Sequence, residues 1–230
     1  MMLTNKNILV TGASDGIGKS TAIALSKAGA HVILLARNQE KLEQVAALCE
    51  GETQIISCDI SDHEKLKEQL EGLVASTEID VLINNAGIWH KADDVTNIST
   101  EEIERVISVN MTSHILITKQ LLKSMRTRES AIINIISKAG VVPQKGLSVY
   151  SASKYGMRGF TDVLREDTKE DPIRISAVYQ AGTKTTMFEK SGQVGVPVEK
   201  FSDPNDLTSI ITFMLSQPEK IWMKEVHVEF

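Results

Sequence analysis

Short continuous apolar runs alternate with longer segments of helical periodicity along the whole chain. A strand is continuously apolar when both faces of its sheet are covered, as they are in parallel sheets. Helices between successive strands supply that cover, so the alternation predicts an α/β fold with a doubly wound parallel sheet. The predicted strands span residues 7–10, 31–36, 54–60, 80–84, 131–136, 173–179 and 225–230, and the predicted helices span residues 17–28, 39–49, 63–74, 100–125, 150–169 and 204–215.

Composition and charge limit what kind of protein this is. The 230 residues are 42% apolar, enough for an ordinary core, and no repeat or linker divides them, so we expect a single domain. A balance of 25 basic against 30 acidic residues argues against a nucleic-acid-binding surface. No apolar run approaches the ~20 residues of a membrane span, and the N-terminus lacks the apolar region of a signal peptide. The sequence therefore predicts a soluble cytoplasmic protein.

The cysteines and histidines give no sign of a metal site. Cys49 and Cys58 each lie on an apolar face, which favours a role as small core side chains. The five histidines, at positions 31, 63, 90, 114 and 227, are scattered without metal-ligand spacing. We expect no metal in this protein.

A glycine-containing turn joins the first predicted strand to the first predicted helix. It consists of Thr11, Gly12, Ala13, Ser14, Asp15, Gly16, Ile17 and Gly18. Glycines let backbone N–H groups approach a pyrophosphate, and the helix N-terminus adds a favourable dipole. The spacing is G-x-x-x-G-x-G rather than G-x-G-x-x-G, and a tight turn without a ligand would also use glycine. Its position in the first βαβ unit favours a nucleotide-binding site.

The end of the second predicted strand bears on the choice of nucleotide. An acidic residue there would bind the ribose 2′-hydroxyl of NAD(H), whereas an arginine suits the 2′-phosphate of NADP(H). Ala36 leaves no carboxylate at this point, and Arg37 offers a planar fork of donors. Asp15 brings an unfavourable charge to the same pocket. The sequence favours NADP(H) over NAD(H), unless Arg37 is simply a solvated residue at a helix start.

Tyr150 and Lys154 lie four residues apart in a predicted helix. This spacing places them on one face, with Cβ atoms ~5–6 Å apart. A phenol with a pKa of about 10 exchanges protons poorly at neutral pH, but a neighbouring ammonium lowers that pKa. A shift of about three units requires ~4 kcal/mol, which two positive charges in a half-dry cleft could supply. Taken alone, such a pair is more often a surface tyrosine beside a solvated lysine.

Six motifs, taken together, resemble the short-chain dehydrogenase/reductase family in its single-domain form. They are Thr11-Gly12-x-x-x-Gly16-x-Gly18, Cys58-Asp59-Ile60, Asn84-Asn85-Ala86-Gly87, Val109-Asn110, Ser137 after the fifth strand, and Tyr150-x-x-x-Lys154. The resemblance covers nearly the whole chain. It implies a Rossmann-like sheet of about seven strands in the order 3-2-1-4-5-6-7, with the site at the carboxyl ends of the strands.

The resemblance also implies roles for particular residues in binding the cofactor. The glycine turn, with Ser14, Asp15 and Ile17, would hold the pyrophosphate. Asp59 would hydrogen-bond the adenine amino group with Ile60 alongside. Asn84, Asn85, Ala86 and Gly87 would line the adenosine side and steady the central sheet, and Gly182, Thr183 and Thr185 would contact the nicotinamide amide.

A catalytic set of four residues is implied in the same way. Asn110 would bend its helix and hold a water in a proton relay, and Ser137 would hydrogen-bond the substrate oxygen. Tyr150 would deliver or remove the proton. Lys154 would bind the nicotinamide ribose and lower the pKa of Tyr150. Each also has a purely structural explanation when taken singly. Asp59 could cap the end of a strand, Asn110 could be a buried polar residue of a helix, and Ser137 could be a turn residue.

Three departures from the family pattern stand out. After the sixth strand the family usually has Pro-Gly followed by Thr, whereas this chain has Gln180-Ala181-Gly182 and then Thr185. Lys138 follows Ser137 in place of a small or hydroxyl residue. The chain stops soon after the last strand, which favours a homodimer while leaving a tetramer open.

The sequence thus predicts an oxidoreductase of the carbonyl reductase or alcohol dehydrogenase type that uses NADP(H). A catalytically silent nucleotide-binding sensor or interaction module is the alternative, and a dehydratase or epimerase of the same fold is a third.

Residues 183–201 lack a clear period, and we expect them to form a lid over the substrate. Met187, Phe188, Val194, Val196 and Val198 in this lid, with Trp89 and His90, suggest a small, moderately apolar carbonyl substrate; sugars, steroids and acyl thioesters remain alternatives.

Overall fold

Seven parallel strands form one sheet in the order β3-β2-β1-β4-β5-β6-β7. The structure is a computed structural model that describes residues 2–229. The strands are β1 (Asn7–Thr11), β2 (His31–Ala36), β3 (Thr53–Ser57), β4 (Val81–Asn84), β5 (Ser130–Ile135), β6 (Ile173–Gln180) and β7 (Glu225–Val228). The predicted fold class and strand order are both confirmed; residue 230, the predicted end of the last strand, lies outside the described residues.

Eight α-helices lie between the strands in the part of the chain that the structure describes. They are α1 (Gly16–Lys27), α2 (Gln39–Ala46), α3 (His63–Ser76), α4 (Thr100–Ile107), α5 (Ser113–Met125), α6 (Ser148–Asp167), α7 (Met187–Lys190) and α8 (Pro204–Ser216). The predicted helix over residues 100–125 is confirmed as one continuous helical run, in which a π-helical turn, Ser108–Thr112, joins α4 to α5. Within residues 2–229, no helix is long and apolar enough to cross a membrane.

Each face of the sheet buries its own hydrophobic cluster. Ile8 and Val10 of β1 point to the face covered by α1, α2 and α8, whereas Leu9 points to the face covered by α3, α5 and α6. Successive side chains of a strand point to opposite faces, so both must be apolar when helices cover both. Fully burying a side chain such as Leu9 contributes about 1.5–3 kcal/mol.

The strand order creates a crevice at one edge of the sheet. Strand β1 pairs with β2 on one side and with β4 on the other, so the chain changes direction across the sheet at β1. In such sheets ligands bind outside the carboxyl ends of the strands at this switch point. The turn after β1 and the loop after β4 therefore meet where a ligand site is expected.

The segment of residues 183–201 is more ordered than its sequence suggests. It contains α7 and a 3₁₀ turn, Val198–Lys200. A bridge between Thr183 and Ser202 joins the two ends of the segment. The expectation that this region lacks regular structure is therefore wrong over these short stretches, which are too brief to give a hydrophobic period.

Candidate active site

Three glycines shape the turn between β1 and α1. Gly12 (φ +68°) and Gly16 (φ +51°) have left-handed backbone conformations, which glycine adopts without steric cost. A Cβ atom on Gly18 would collide with the carbonyl oxygen of Gly12, so α1 can approach the turn this closely only because Gly18 has no side chain. The backbone N–H groups of the turn therefore lie beside the N-terminus of α1, a position that favours binding of an anion such as a pyrophosphate.

Thr11 joins this turn to the loop after β4. Its hydroxyl oxygen accepts hydrogen bonds from the backbone N–H groups of Asn85 and Ala86, each at 2.9 Å. The side-chain amide of Asn85 donates to the Thr11 carbonyl oxygen at 2.8 Å. The amide nitrogen of Asn85 is thus engaged in holding the two loops together at the wall of the cleft.

Asp15 links α1 to the segment after β6. One carboxylate oxygen accepts from the Gly16 N–H at 2.8 Å, and the other accepts from Thr186 Oγ1 and Lys190 Nζ, each at 2.7 Å. Burial works to raise the pKa of Asp15, but these hydrogen bonds outweigh it and lower the pKa to about 2. The sequence-based view of Asp15 as an uncompensated charge is wrong, because Lys190, 175 residues away, balances it.

Arg37 and Asp59 lie at the end of the cleft nearest β2 and β3. Arg37 Nη1 is 3.5 Å from Asp59 Oδ2, and Ser61 donates to Asp59 Oδ1 from its backbone at 2.9 Å and its hydroxyl at 2.7 Å. Burial works to raise the pKa of Asp59, but the bonds from Ser61 and the charge of Arg37 lower it. Asn38 and Lys41, which the sequence analysis did not single out, line the same part of the cleft.

Ser137, Tyr150 and Lys154 meet on one wall of the cleft, beside the carboxyl end of β5. Tyr150 and Lys154 are only 3% and 4% exposed. Lys154 Nζ lies 5.7 Å from the centre of the Tyr150 ring and donates to the Ile135 carbonyl oxygen at 3.4 Å. Ser137 hydrogen-bonds the phenol of Tyr150. The structure thus brings together the three residues predicted to act on the substrate.

The pKa shifts of this pair differ from the sequence-based expectation. Burial raises the pKa of Tyr150 to about 12, although the hydrogen bond with Ser137 acts in the opposite direction. Burial also lowers the pKa of Lys154 to about 8. The expectation of a lowered phenol pKa is therefore wrong for this structure, because desolvation by burial, the largest cause of the shift, disfavours the phenolate.

Asn110 lies in the π-helical turn and connects the loop after β4 to α6. Its Oδ1 accepts from the Ile88 N–H at 2.8 Å, while its Nδ2 donates to the Ile88 carbonyl oxygen at 2.9 Å and to Ser153 Oγ at 3.3 Å. Ser153 in turn donates to the Tyr150 carbonyl oxygen at 2.6 Å. The π turn accounts for the predicted irregularity at Asn110, whereas its part in a water relay stays a prediction.

Most of the predicted site residues line one cleft of about 900 Å³. They are Gly12, Ser14, Asp15, Gly16, Ile17, Arg37, Asp59, Ile60, Asn85, Ala86, Gly87, Ser137, Tyr150, Lys154, Gly182, Thr183 and Thr185. Gly18, Asn84 and Asn110 stand behind its wall instead. Asn84 is 1% exposed and donates to Thr118 Oγ1 and Asn134 Oδ1, so it supports the sheet rather than lining the adenosine side.

Aromatic rings close the cleft beside the phenol. The Trp89 ring centre lies 4.5 Å from that of Tyr150 and 5.0 Å from that of Phe188. Met187 and Val196 line the same region, as expected. The expectation that Val194, Val198 and His90 line this region is wrong: Val194 is 80% exposed, Val198 is not part of the lining, and His90 is buried behind it.

His114, which the sequence did not indicate, supports the loop after β4 from behind the cleft. Its Nε2 lies 2.7 Å from the carbonyl oxygen of Ala86, in the loop that borders the cleft. Burial, with a smaller effect of the positive charge of Lys154, lowers the pKa of His114 to about 4, so the ring is neutral at pH 7. Its position one helical turn after Asn110 was the only available signal.

Comparison with known proteins identifies the family. The family model described as short chain dehydrogenase matches residues 6–194. The chain belongs to this family. At 30% identity, it is similar to a 3-oxoacyl-[acyl-carrier-protein] reductase of Rickettsia conorii, over 98% of this chain and 96% of the relative. At 32% identity, it is similar to an NADP-dependent 3-hydroxy acid dehydrogenase of Schizosaccharomyces pombe, over 95% of this chain and 90% of the relative.

Solved structures of short-chain dehydrogenases have the same fold. A 3-ketoacyl-(acyl-carrier-protein) reductase from Brucella melitensis complexed with NADH has a TM-score of 0.87 and 27% identity, covering 98% of this chain and 97% of that chain. The closed form of a serine dehydrogenase complexed with NADP⁺ has a TM-score of 0.87 and 26% identity, and the match covers 96% of this chain and 94% of that chain. The protein is accordingly an oxidoreductase of the short-chain dehydrogenase family.

Proposed function

We propose that the protein reduces a carbonyl compound to an alcohol with NADPH, and that Tyr150 supplies the proton. The observation that carries this proposal is the meeting of Ser137, Tyr150 and Lys154 in the same cleft as the glycine turn. A nucleotide-binding sensor would need the turn but not this set of three. Tyr150 and Lys154 are also costly to bury, which indicates that they serve a purpose other than stability.

The residues present fit a dinucleotide cofactor. The glycine turn at the start of α1 would hold the pyrophosphate, Asp59 with Ile60 the adenine, and Lys154 the nicotinamide ribose. Gly182 and Thr185 also line the cleft, and they would contact the nicotinamide amide. When bound, the reduced nicotinamide supplies the hydride that the carbonyl carbon accepts.

The protein groups supply the proton and stabilise the growing negative charge. A phenol whose pKa is raised to about 12 stays protonated at neutral pH, which suits it to donate a proton to the oxygen of a carbonyl undergoing reduction. Ser137 and Tyr150 would both donate hydrogen bonds to that oxygen as it becomes negative. The buried ammonium of Lys154 would favour the phenolate left behind. We therefore propose that the protonated resting form of Tyr150 acts in the reductive direction.

Preference for NADPH is proposed from the charges at the adenosine end. Arg37 is 66% exposed in its side chain and has only a 3.5 Å contact with Asp59, so its guanidinium is accessible to a 2′-phosphate. Lys41 adds a second positive charge to the same part of the cleft. Ala36 carries no carboxylate that would repel the phosphate. Among the proteins compared above, one has NADP in its name and one structure contains NADP⁺, while another contains NADH.

The substrate is proposed to be a small, moderately apolar carbonyl compound. The Trp89 ring is tilted against the Tyr150 ring and makes an edge contact with Phe188, which favours a compact apolar group beside the phenol over a broad polar one. Lys138 lines the cleft next to Ser137, and its charge is balanced by Glu229 at 3.0 Å. An acyl thioester is the main alternative, because the Rickettsia conorii relative is named as a 3-oxoacyl-[acyl-carrier-protein] reductase.

A panel of carbonyl compounds tests the proposal. Ketones, aldehydes, 3-oxoacyl thioesters, sugars and keto steroids are each incubated with the protein and NADPH, and the loss of reduced-nicotinamide absorbance is followed. We expect turnover with at least one small ketone or aldehyde, faster with NADPH than with NADH. Binding of NADPH without oxidation by any member of the panel would favour the silent nucleotide-binding alternative.

A further inference from the structure

Helix α6, which carries Tyr150, begins without an ordinary capping residue. Leu147 occupies the N-cap position, offers no side-chain acceptor, and the first turn contains no acidic residue. The first N–H groups of a helix have no partner within the helix and need one elsewhere. A polar N-cap side chain usually accepts from the second or third of them. Here the start of the helix needs an acceptor from another part of the chain.

His90 supplies that acceptor from the loop after β4. The Tyr150 N–H, the third of the helix, donates to His90 Nε2 at 3.2 Å. The two residues are 60 positions apart in the chain, and His90 is only 2% exposed. Water therefore cannot easily replace the imidazole if it is lost. The bond ends at the backbone of the residue whose phenol is proposed to donate the proton.

The two contacts of the ring determine its tautomer. A backbone N–H can only donate, so His90 Nε2 must carry the lone pair. His90 Nδ1 lies 2.8 Å from the Lys91 carbonyl oxygen, which can only accept, so Nδ1 must carry the proton. Both ring nitrogens are then satisfied in one neutral form. Neither the other tautomer nor the imidazolium allows the bond from Tyr150.

The same loop contacts α6 at further points. Trp89, the neighbour of His90, packs its ring 4.5 Å from the Tyr150 ring. The backbone of Ile88 is held by Asn110, which also donates to Ser153 of α6. The loop thus fixes the ring of Tyr150, its backbone N–H and the following turn.

We propose that His90 is a positioning residue for the reduction: its imidazole replaces the missing helix cap and sets the place of the Tyr150 phenol relative to Ser137 and Lys154. This rests on the proposed role of Tyr150 as proton donor. Displacement of a reacting group by about 1 Å can cost up to ~100-fold in rate. Loss of the acceptor should therefore lower kcat more than it changes the affinity for NADPH.

Matched substitutions separate the hydrogen bond from packing. His90→Leu fills a similar volume but cannot accept, whereas the side-chain oxygen of His90→Gln can reach the place of Nε2. We expect His90→Leu to lower kcat ~10- to 100-fold with little change in the KM for NADPH. His90→Gln should have a kcat much closer to that of the wild type. His31→Leu, at the opposite end of the sheet, is the control and should leave both constants unchanged. Equal kcat values for the Leu and Gln variants would overturn the proposal.

A second measurement does not depend on activity or on the variants being well folded. The ¹⁵N chemical shifts of the wild-type imidazole, with the other histidines distinguished by their own spectra, report which nitrogen carries the proton. We expect the Nδ1–H form for His90 across neutral pH. The Nε2–H form would overturn the capping role. Absence of turnover by the wild-type protein with every carbonyl compound would instead count against the proposed function.

Discussion

Lys154 Nζ lies 5.7 Å from the centre of the Tyr150 ring, and burial shifts the pKa values of both groups towards their neutral forms. The pKa of Tyr150 rises to about 12 and that of Lys154 falls to about 8. Burial destabilises the charged forms of both side chains and so does not help the protein to fold. Their burial is better explained by a role in the reaction. A protonated phenol is what a reductase needs from its proton donor.

The buried ammonium of Lys154 should make stability depend on pH. Its pKa of about 8 in the folded protein lies below the ordinary value of 10.5, so between these values the folded protein binds fewer protons than the unfolded chain. The free energy of unfolding should therefore rise with pH, by up to ~1.4 kcal/mol per unit, between about pH 8 and about pH 10.5. The Lys154→Met variant has no ammonium at this position, so its free energy of unfolding should lack this contribution to the pH dependence.

Urea unfolding of both proteins across that pH range measures the effect. The difference in free energy of unfolding between wild type and Lys154→Met should shift in favour of the wild type as pH rises past about 8. A difference that stays constant would mean that Lys154 titrates normally in the folded protein.

Arg37 should control the choice between NADPH and NADH. A charge-assisted hydrogen bond contributes ~1.5–3 kcal/mol, so Arg37→Ala should weaken NADPH binding by ~10-fold or more. NADH has no 2′-phosphate, and its affinity should change little. Titration of both cofactors by nicotinamide fluorescence measures this, with Arg126→Ala, remote from the cleft, as the control. Equal losses for the two cofactors would assign Arg37 a structural role.

The sequence was sufficient for the fold and for most of the cleft. Continuous apolar runs such as residues 31–36 predict buried strands because every side chain packs on one face or the other. The residues that line the cleft mostly follow directly after strands, as Ser137 and Asp59 do, and their positions follow from the fold. Tyr150 and Lys154 were paired by helical spacing alone.

The remaining features depend on contacts between distant parts of the chain. Lys190 balances Asp15, and His90 caps the helix of Tyr150, across separations of 175 and 60 residues. No local period indicates such pairs. The pKa of Tyr150 was mispredicted for a related reason, since spacing gives the distance to Lys154 but not the desolvation of either group. The π turn at Asn110 likewise leaves the apolar pattern almost unchanged.

The segment of residues 183–201 is expected to act as a lid held by Asp15. Lys190 and Thr186 bind this carboxylate at 2.7 Å each, and Gln193 Oε1 accepts from the Ala92 N–H at 2.8 Å. The ion pair is partly exposed and should contribute no more than ~1 kcal/mol. Lys190→Met should therefore speed hydrogen exchange across residues 186–198 by a few-fold at most in the absence of ligand.

NADPH with a substrate analogue should slow exchange over the same residues in the wild-type protein. Lys200→Met, an exposed lysine of the same segment, is the matched control and should leave the rates unchanged. Strong protection before ligand is added, unaltered by the ligand and by Lys190→Met, would show a permanently packed segment and not a lid.

A homodimer is expected through α4, α5 and α6. Val163 and Tyr155 of α6 are 60% and 39% exposed, an apolar surface that a second copy could cover in an isologous contact. Ile117 of α5 and Met157 of α6 do not belong to this surface, because both are buried in the protein's own core. Sedimentation should give a dimer at micromolar concentration, and Val163→Glu should shift it towards monomer. Leu48→Glu, exposed after α2, is the control; a wild-type monomer would contradict the prediction.

The central claim is that the phenol of Tyr150 gives its proton to the reduced substrate. Tyr150→Phe keeps the ring against Trp89 and removes only the hydroxyl, while Tyr155→Phe, on the same helix, is the matched control. With any carbonyl compound that the wild type reduces, Tyr150→Phe should lower kcat by at least ~100-fold, the usual contribution of a positioned acid. NADPH affinity should change little in either variant. Turnover by Tyr150→Phe close to that of the wild type would contradict the account.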